Sequence, residues 1–273
     1  MSQSIQDRRV TLAIEPSGIA TVTLCRPEKH NAFDDQMIEL LTQAFRRVEE
    51  TPEVRALLLK SEGVNFCAGA DLAWMRRMAE YTFEENQQDA QALALMLYTL
   101  RNLPIPTIVR VQGMAFGGAV GLVSCCDIAL ASVDAQFGLT EVRIGLIPAT
   151  IGPYVIEAIG RRWASRLFVT GERFSAQRAL EIGLIHECFP GEALDAAVSN
   201  LLDEICKNGP QAVVHAKAIV GEVDGLPINE ALIEHTSRRI AELRVSPEGQ
   251  EGLSAFLEKR RPCWPPRTGA GDS

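Results

Sequence analysis

Two glycine-rich turns and one glutamate offer this chain its most usable chemistry. The first turn is Asn65-Phe66-Cys67-Ala68-Gly69-Ala70-Asp71-Leu72, between an apolar run and a helix start. Small residues there let a ligand approach the backbone, and free N–H groups at a helix start attract negative charge. The second turn, Gly113-Met114-Ala115-Phe116-Gly117-Gly118-Ala119, again joins an apolar run to a helical stretch. Two such turns can aim one N–H each at a shared oxygen, which is the geometry of an oxyanion hole. Taken singly, a glycine turn more often serves tight packing, and neither matches a Walker or dinucleotide fingerprint. Glu141 follows Thr140. It reads either as an acid/base group or as a charge favoured in the first turn of a helix.

The elements that must position these residues alternate. Residues 10–14 and 19–24 are strand-like and separated by Glu15-Pro16-Ser17-Gly18, a hairpin signal. Asp34 or Asp35 can cap a helix through Glu50 that carries Ile38, Leu41, Phe45 and Val48 on one face. Residues 54–60 read as a buried strand, Asp71 as an N-cap, 83–101 as a long helix, 107–111 and 127–131 as strands. The alternation predicts α/β architecture with parallel strands joined by helices. After Pro190 only helical patterns follow, at 193–207, 210–220, 228–243 and 247–260. Residues 1–195 are therefore expected to be a catalytic core and 196–273 a helical C-terminal subdomain, with a disordered tail from Pro262.

Composition narrows the functions. The 273 residues are 47% hydrophobic and 23% charged, an ordinary globular balance. No apolar run is long enough to span a bilayer, and the polar start, Met1 to Arg9, has no signal-peptide core. A net charge of −8 argues against nucleic acid as a main partner. Seven cysteines in apolar contexts suit a reducing cytoplasm, and adjacent Cys125 and Cys126 lack zinc-ligand spacing, so no metal is expected. The basic run Lys259-Arg260-Arg261 reads as a solvated helix end.

Taken together, the motifs resemble the enoyl-CoA hydratase/isomerase (crotonase) family along nearly the whole chain. Arg26-Pro27 with Asn31-Ala32 is similar to an early strand-end motif. Residues 66–72 and 113–119, the latter with Cys126-Asp127-Ile128, resemble the two oxyanion loops. Phe137-Gly138, Glu141 and Gly145-Leu146-Ile147-Pro148 resemble the segment that carries a catalytic glutamate. Thr170-Gly171, Ala176, Ala179 and Gly183-Leu184 continue the match, and residues 255–262 resemble the family's C-terminal helix. The resemblance implies a crotonase-like α/β spiral of ββα repeats with a helical C-terminal trimerisation subdomain, assembled as a homotrimer or homohexamer. It implies that the Ala70 and Gly118 N–H groups hold a thioester oxygen and that Glu141 is the acid/base. Coenzyme A would enter as part of an acyl-CoA substrate, with no separate cofactor, contacting Ala68, Asp71 and Leu72. Phe256 and Lys259 would reach its adenine and phosphate end; core packing is the competing reading of Phe256.

One departure stands out. Hydratases of the family usually carry two glutamates, and the position of the first, three residues after Gly118, is Gly121 here. A single glutamate can still exchange a proton at a polarised substrate. Burial among Leu139, Ile144 and Leu146 is expected to raise the Glu141 pKa, with Arg143 opposing it if it faces inward. The missing side chain is expected to leave room beside the acyl group. The stretch 141–155 resembles methylglutaconyl-CoA and isohexenylglutaconyl-CoA hydratases of leucine and isoprenoid degradation. It implies a branched or carboxylated acyl group, with Gly121, Arg143 and Tyr154 as substrate contacts. A double-bond isomerase and a non-catalytic acyl-CoA-binding protein are the alternatives.

Overall fold

The computed structural model describes residues 9–264. The chain opens on the expected hairpin, β1 (Val10–Ile14) antiparallel to β2 (Ile19–Leu24). Helix α1 (Asp35–Glu49) starts where Asp34 accepts a hydrogen bond from the Met37 N–H at 2.8 Å. Its Ile38, Leu41, Phe45 and Val48 are all buried, as the periodicity requires. Strand β3 (Ala56–Ser61) begins two residues later than expected. Val54 and Arg55 are held instead in the preceding turn by Thr51 and Gly18 carbonyls.

Helix α2 (Leu72–Met78) is capped by Asp71, and α3 (Phe83–Arg101) by a reciprocal Thr82–Glu85 box. Strand β4 (Thr107–Val111) runs beside β3, and a three-residue strand β5 (Met114–Phe116) sits inside what reads in the sequence as a glycine turn. Helix α4 (Gly118–Cys125) leads to β6 (Ile128–Ser132) and β7 (Gln136–Gly138). A short 3-10 turn, Glu141–Ile144, precedes α5 (Gly152–Thr170), β8 (Arg173–Ser175), α6 (Ala176–Glu181) and β9 (Glu187–Phe189).

Two sheets result. The larger has the order β1-β2-β3-β4-β6-β9 and is parallel except for its first pair; the smaller has the order β5-β7-β8. The large sheet is covered on both faces. Leu57 and Leu59 of β3 join the main core with α1 and α3, whereas Ala56 and Leu58 join a second cluster with Leu194, Val198 and Leu202. Those three belong to α7 (Gly191–Lys207), which runs through the expected boundary at 195 and packs on the sheet.

The helical part that follows comprises α8 (Pro210–Val223), α9 (Glu230–Val245) and α10 (Pro247–Leu257). Lys217 of α8 reaches Asp127 at 2.7 Å and the Ile105 carbonyl at 2.9 Å, tying it to the core. Glu248 of α10 caps α8 through the Gln211 and Ala212 N–H groups. The Lys259–Arg261 run is not simply solvated: Arg260 forks onto Glu251 and holds its carboxyl down to about 2. Residues just past Pro262 are anchored too. The Trp264 indole N–H donates to the Lys207 carbonyl at 2.8 Å. The rest of the tail lies outside the described residues.

Candidate active site

The two glycine turns meet. Phe66 and Cys67 donate to the Gln112 and Met114 carbonyls, and Phe116 donates back to Cys67 at 3.0 Å. Asn65 adds a side-chain clasp: its Oδ1 accepts from the Met114 N–H at 3.0 Å, and its Nδ2 sits 3.0 Å from His30 Nδ1. Asn31 fixes the same loop from below, donating to the Glu62 and Asn65 carbonyls at 2.9 Å. Gly113, at φ +57°, brings the second turn so close to Val64 and Asn65 that a Cβ would collide with both. Each turn therefore holds the other in place.

Ala70 and Gly118 end these turns and line one cavity of about 450 Å³. Phe33 pairs with Gly69 and Asp71 across Ala70, which leaves the Ala70 N–H without a hydrogen-bond partner among the described residues. Gly118 is the first residue of α4, where an N–H has no intrahelical acceptor, and none is supplied from elsewhere among the described residues. Two unmatched donors facing one cavity are what an oxyanion hole requires.

Glu141 lines the same cavity. A Cβ on Gly117, which holds φ +55°, would lie 3.3 Å from Glu141 Oε1, so the carboxylate abuts the second turn. Its Oε2 is one of three buried side-chain polar atoms without a partner among the described residues. Burial pushes the Glu141 carboxyl above its ordinary value, opposed in part by its own backbone N–H. The source of that burial differs from expectation. Leu139 is buried, but Ile144 and Leu146 are more than half exposed at the cavity, and Arg143 takes no part.

The other expected site residues divide. Ala68 and Arg143 line the cavity. Arg143 has no carboxylate partner among the described residues. Asp71 is buried; its carboxylate caps α2 and meets Arg26 at 3.3 Å, which together with its own cap N–H donors holds its pKa below the usual value despite burial. Leu72 is 71% exposed beside it. Phe256 is 81% exposed, which rules out the core-packing reading, and Lys259 ends the last helix at φ +54°.

Gly121 and Tyr154 do not line the cavity. Tyr154 packs on the core side of α5, near Tyr98 and Cys125, because it lies on the face that meets α3 and α4. Gly121 is covered: a Cβ there would fall closer than 3.0 Å to Ile151 Cγ2. The room expected beside the acyl group is filled.

Several lining residues escape a sequence reading. Trp74, Met75 and Met78 form one wall on α2, where the i, i+4 spacing of Trp74 and Met78 marks a shared face. The Trp74 indole N–H donates to Asp89 at 3.1 Å and fixes α2 to α3. Arg173 lies 4.8 Å from the Phe116 ring centroid and also lines the cavity. A lone arginine on a three-residue strand carries no periodic signal that would reveal it.

Comparison with known proteins identifies relatives along nearly the whole chain. The family model described as enoyl-CoA hydratase/isomerase matches residues 15–267. A crystal structure of an enoyl-CoA hydratase from Shewanella pealeana is 46% identical, covers 95% of this chain and 97% of that one, and superposes with a TM-score of 0.90. An enoyl-CoA hydratase structure from Mycobacterium smegmatis is 33% identical over 94% of this chain and 99% of its own, with a TM-score of 0.88. The enoyl-CoA hydratase AKT6-1 of Alternaria alternata is 30% identical over 91% of this chain and 81% of its length.

Proposed function

The chain belongs to the enoyl-CoA hydratase/isomerase family, has its crotonase-like α/β fold, and from that premise we propose that it hydrates a branched or carboxylated enoyl-CoA such as 3-methylglutaconyl-CoA or isohexenylglutaconyl-CoA. The observation that carries the chemistry is the pair of unmatched N–H groups, Ala70 and Gly118, sharing a cavity with an orphaned carboxylate oxygen of Glu141. The thioester oxygen accepts from both N–H groups and draws electron density from the double bond. Glu141 takes a proton from water as its oxygen bonds to the β-carbon, giving an enolate held in the hole. The same proton then goes to the α-carbon, so the sum is addition of one water. A raised pKa suits a group that must first accept and then release a proton near neutrality.

The acyl assignment rests on Arg143, a guanidinium at the cavity without an acidic partner among the described residues. A distal carboxylate on the substrate would satisfy it. Ala68, Asp71 and Leu72 contact the coenzyme A moiety in this reading. The exposure of Phe256 and Lys259 supports their meeting the adenine and phosphate end on a neighbouring subunit. Helix α9 has no buried residue and leaves Ile233 and Ile240 exposed, which supports self-association as a trimer or hexamer. None of the described helices is long and apolar enough to cross a membrane; a cytoplasmic location is part of the proposal.

Crotonyl-, 3-methylglutaconyl- and isohexenylglutaconyl-CoA, assayed side by side with wild type and Arg143→Gln, test the substrate. Loss of the guanidinium is expected to raise KM for the two carboxylated esters by about tenfold or more and leave crotonyl-CoA unchanged. Equal effects on all three would remove the carboxylate assignment. Glu141 is the one carboxylate lining the cavity among the described residues, which also favours a second reading, a double-bond isomerase. Chromatography separates it, because an isomerase yields no 3-hydroxyacyl-CoA.

A further inference from the structure

The position that breaks the two-glutamate pattern is not an empty one. Gly121 lies mid-way along α4, fully inside the protein, and its missing side chain points at Ile151. A Cβ there would sit closer than 3.0 Å to Ile151 Cγ2, 3.0 Å from Ile151 Cβ and 3.4 Å from Leu97 Cδ2 of α3. Ile151 is the N-cap residue of α5, only 2% exposed, and it is also a wall of the active-site cavity, which Gly121 is not. Glycine at 121 is thus what allows the start of α5 to close onto α4. Ile151 in turn stands in the volume through which any side chain at 121 would enter the cavity.

We propose that Gly121 and Ile151 form a complementary pair that determines specificity: Ile151 closes the second acid position and turns it into an aliphatic wall. The acyl group then meets a branched hydrocarbon surface where a carboxylate would otherwise stand, and Glu141 is left to handle every proton. This rests on the functional reading above for the identity of the acyl group, but the pairing itself does not. The pair also explains why restoring the second acid needs two changes. Gly121→Glu alone drives its side chain into Ile151, whereas Gly121→Glu with Ile151→Gly gives it the space Ile151 now fills. Ile151→Gly opens a cavity at a buried position and lowers stability by itself, a loss that both members of a pair compared within that background share.

Two readouts test the proposal. The first is a thermal cycle over wild type, Gly121→Ala, Ile151→Gly and the double variant. Overpacking against Ile151 is expected to lower the Tm of Gly121→Ala by on the order of 3 °C or more. In the Ile151→Gly background the same change is expected to be neutral or stabilising, because alanine favours a helix over glycine. An equal loss in both backgrounds overturns the pairing. The second readout is hydration of crotonyl-CoA by Gly121→Glu with and without Ile151→Gly, folding being checked by circular dichroism. The double variant is expected to be at least about tenfold faster than the single one, or to fold where the single one does not. Equal gain from Gly121→Glu alone overturns the role of Ile151. If wild type and all variants leave every enoyl-CoA untouched, the functional reading fails and the specificity role with it, while the thermal cycle still decides the pairing.

Discussion

Asn65→Ala isolates the clasp between the two turns without touching the substrate. Asn65 is buried, accepts from the Met114 N–H and bonds His30. Removing its amide leaves the Met114 donor without its acceptor, at about 1–3 kcal/mol, and deletes the His30 bond, at about 0.5–1.5 kcal/mol. Stability is therefore expected to fall by about 1.5–4.5 kcal/mol. The backbone links from Phe66, Cys67 and Phe116 survive, so the turns loosen rather than separate. A shift of well under 1 Å between the Ala70 and Gly118 donors corresponds to a kcat loss of about tenfold, bounded by the ~100-fold typical of a full ångström. Denaturant titration and steady-state kinetics measure the two effects. Asn65→Asp keeps an acceptor for Met114 and should retain most of kcat while losing part of the stability. Wild-type kcat in Asn65→Ala, or equal kcat losses in the Ala and Asp variants, would refute the reasoning.

Two further outcomes follow from the site. Gly117→Ala forces a side chain onto φ +55° and into contact with Glu141 Oε1, so stability should drop by about 1–2 kcal/mol and kcat should fall while coenzyme A binding persists. For Glu141, a folded pKa raised above the unfolded one binds its proton more tightly in the native state. That contribution is present below the unfolded carboxylate range and is lost as pH rises through the elevated folded value. Glu141→Gln should therefore gain Tm relative to wild type near neutral pH and show no such gain well below the carboxylate range. The wild-type kcat/KM profile should carry an acid limb above the ordinary glutamate pKa.

Much of this site is legible in the sequence. Spacing alone places the two strand-to-helix turns, and the caps at Asp34 and Asp71 begin helices where local hydrogen bonding demands. What escapes is set by contacts between distant segments. Strands β5, β7 and β8 are three residues each, too short to show alternation, yet they build the small sheet that carries Phe116 and Arg173. The filling of the Gly121 position by Ile151, thirty residues on, is a packing fact with no local signature. The same holds for Tyr154, whose side of α5 is chosen by α3 and α4 rather than by the cavity. Burial of Glu141 was readable in direction but not in cause, since the residues flanking it in sequence are largely exposed.

The central claim is that one carboxylate, Glu141, moves the proton while the Ala70 and Gly118 N–H groups hold the oxygen. Glu141→Gln tests it most directly, with calorimetric binding of a saturated acyl-CoA measured beside turnover of the enoyl-CoA that wild type prefers. The account predicts binding within about threefold of wild type and a turnover loss of about two to four orders of magnitude. Full turnover in that variant, with binding intact, would contradict it.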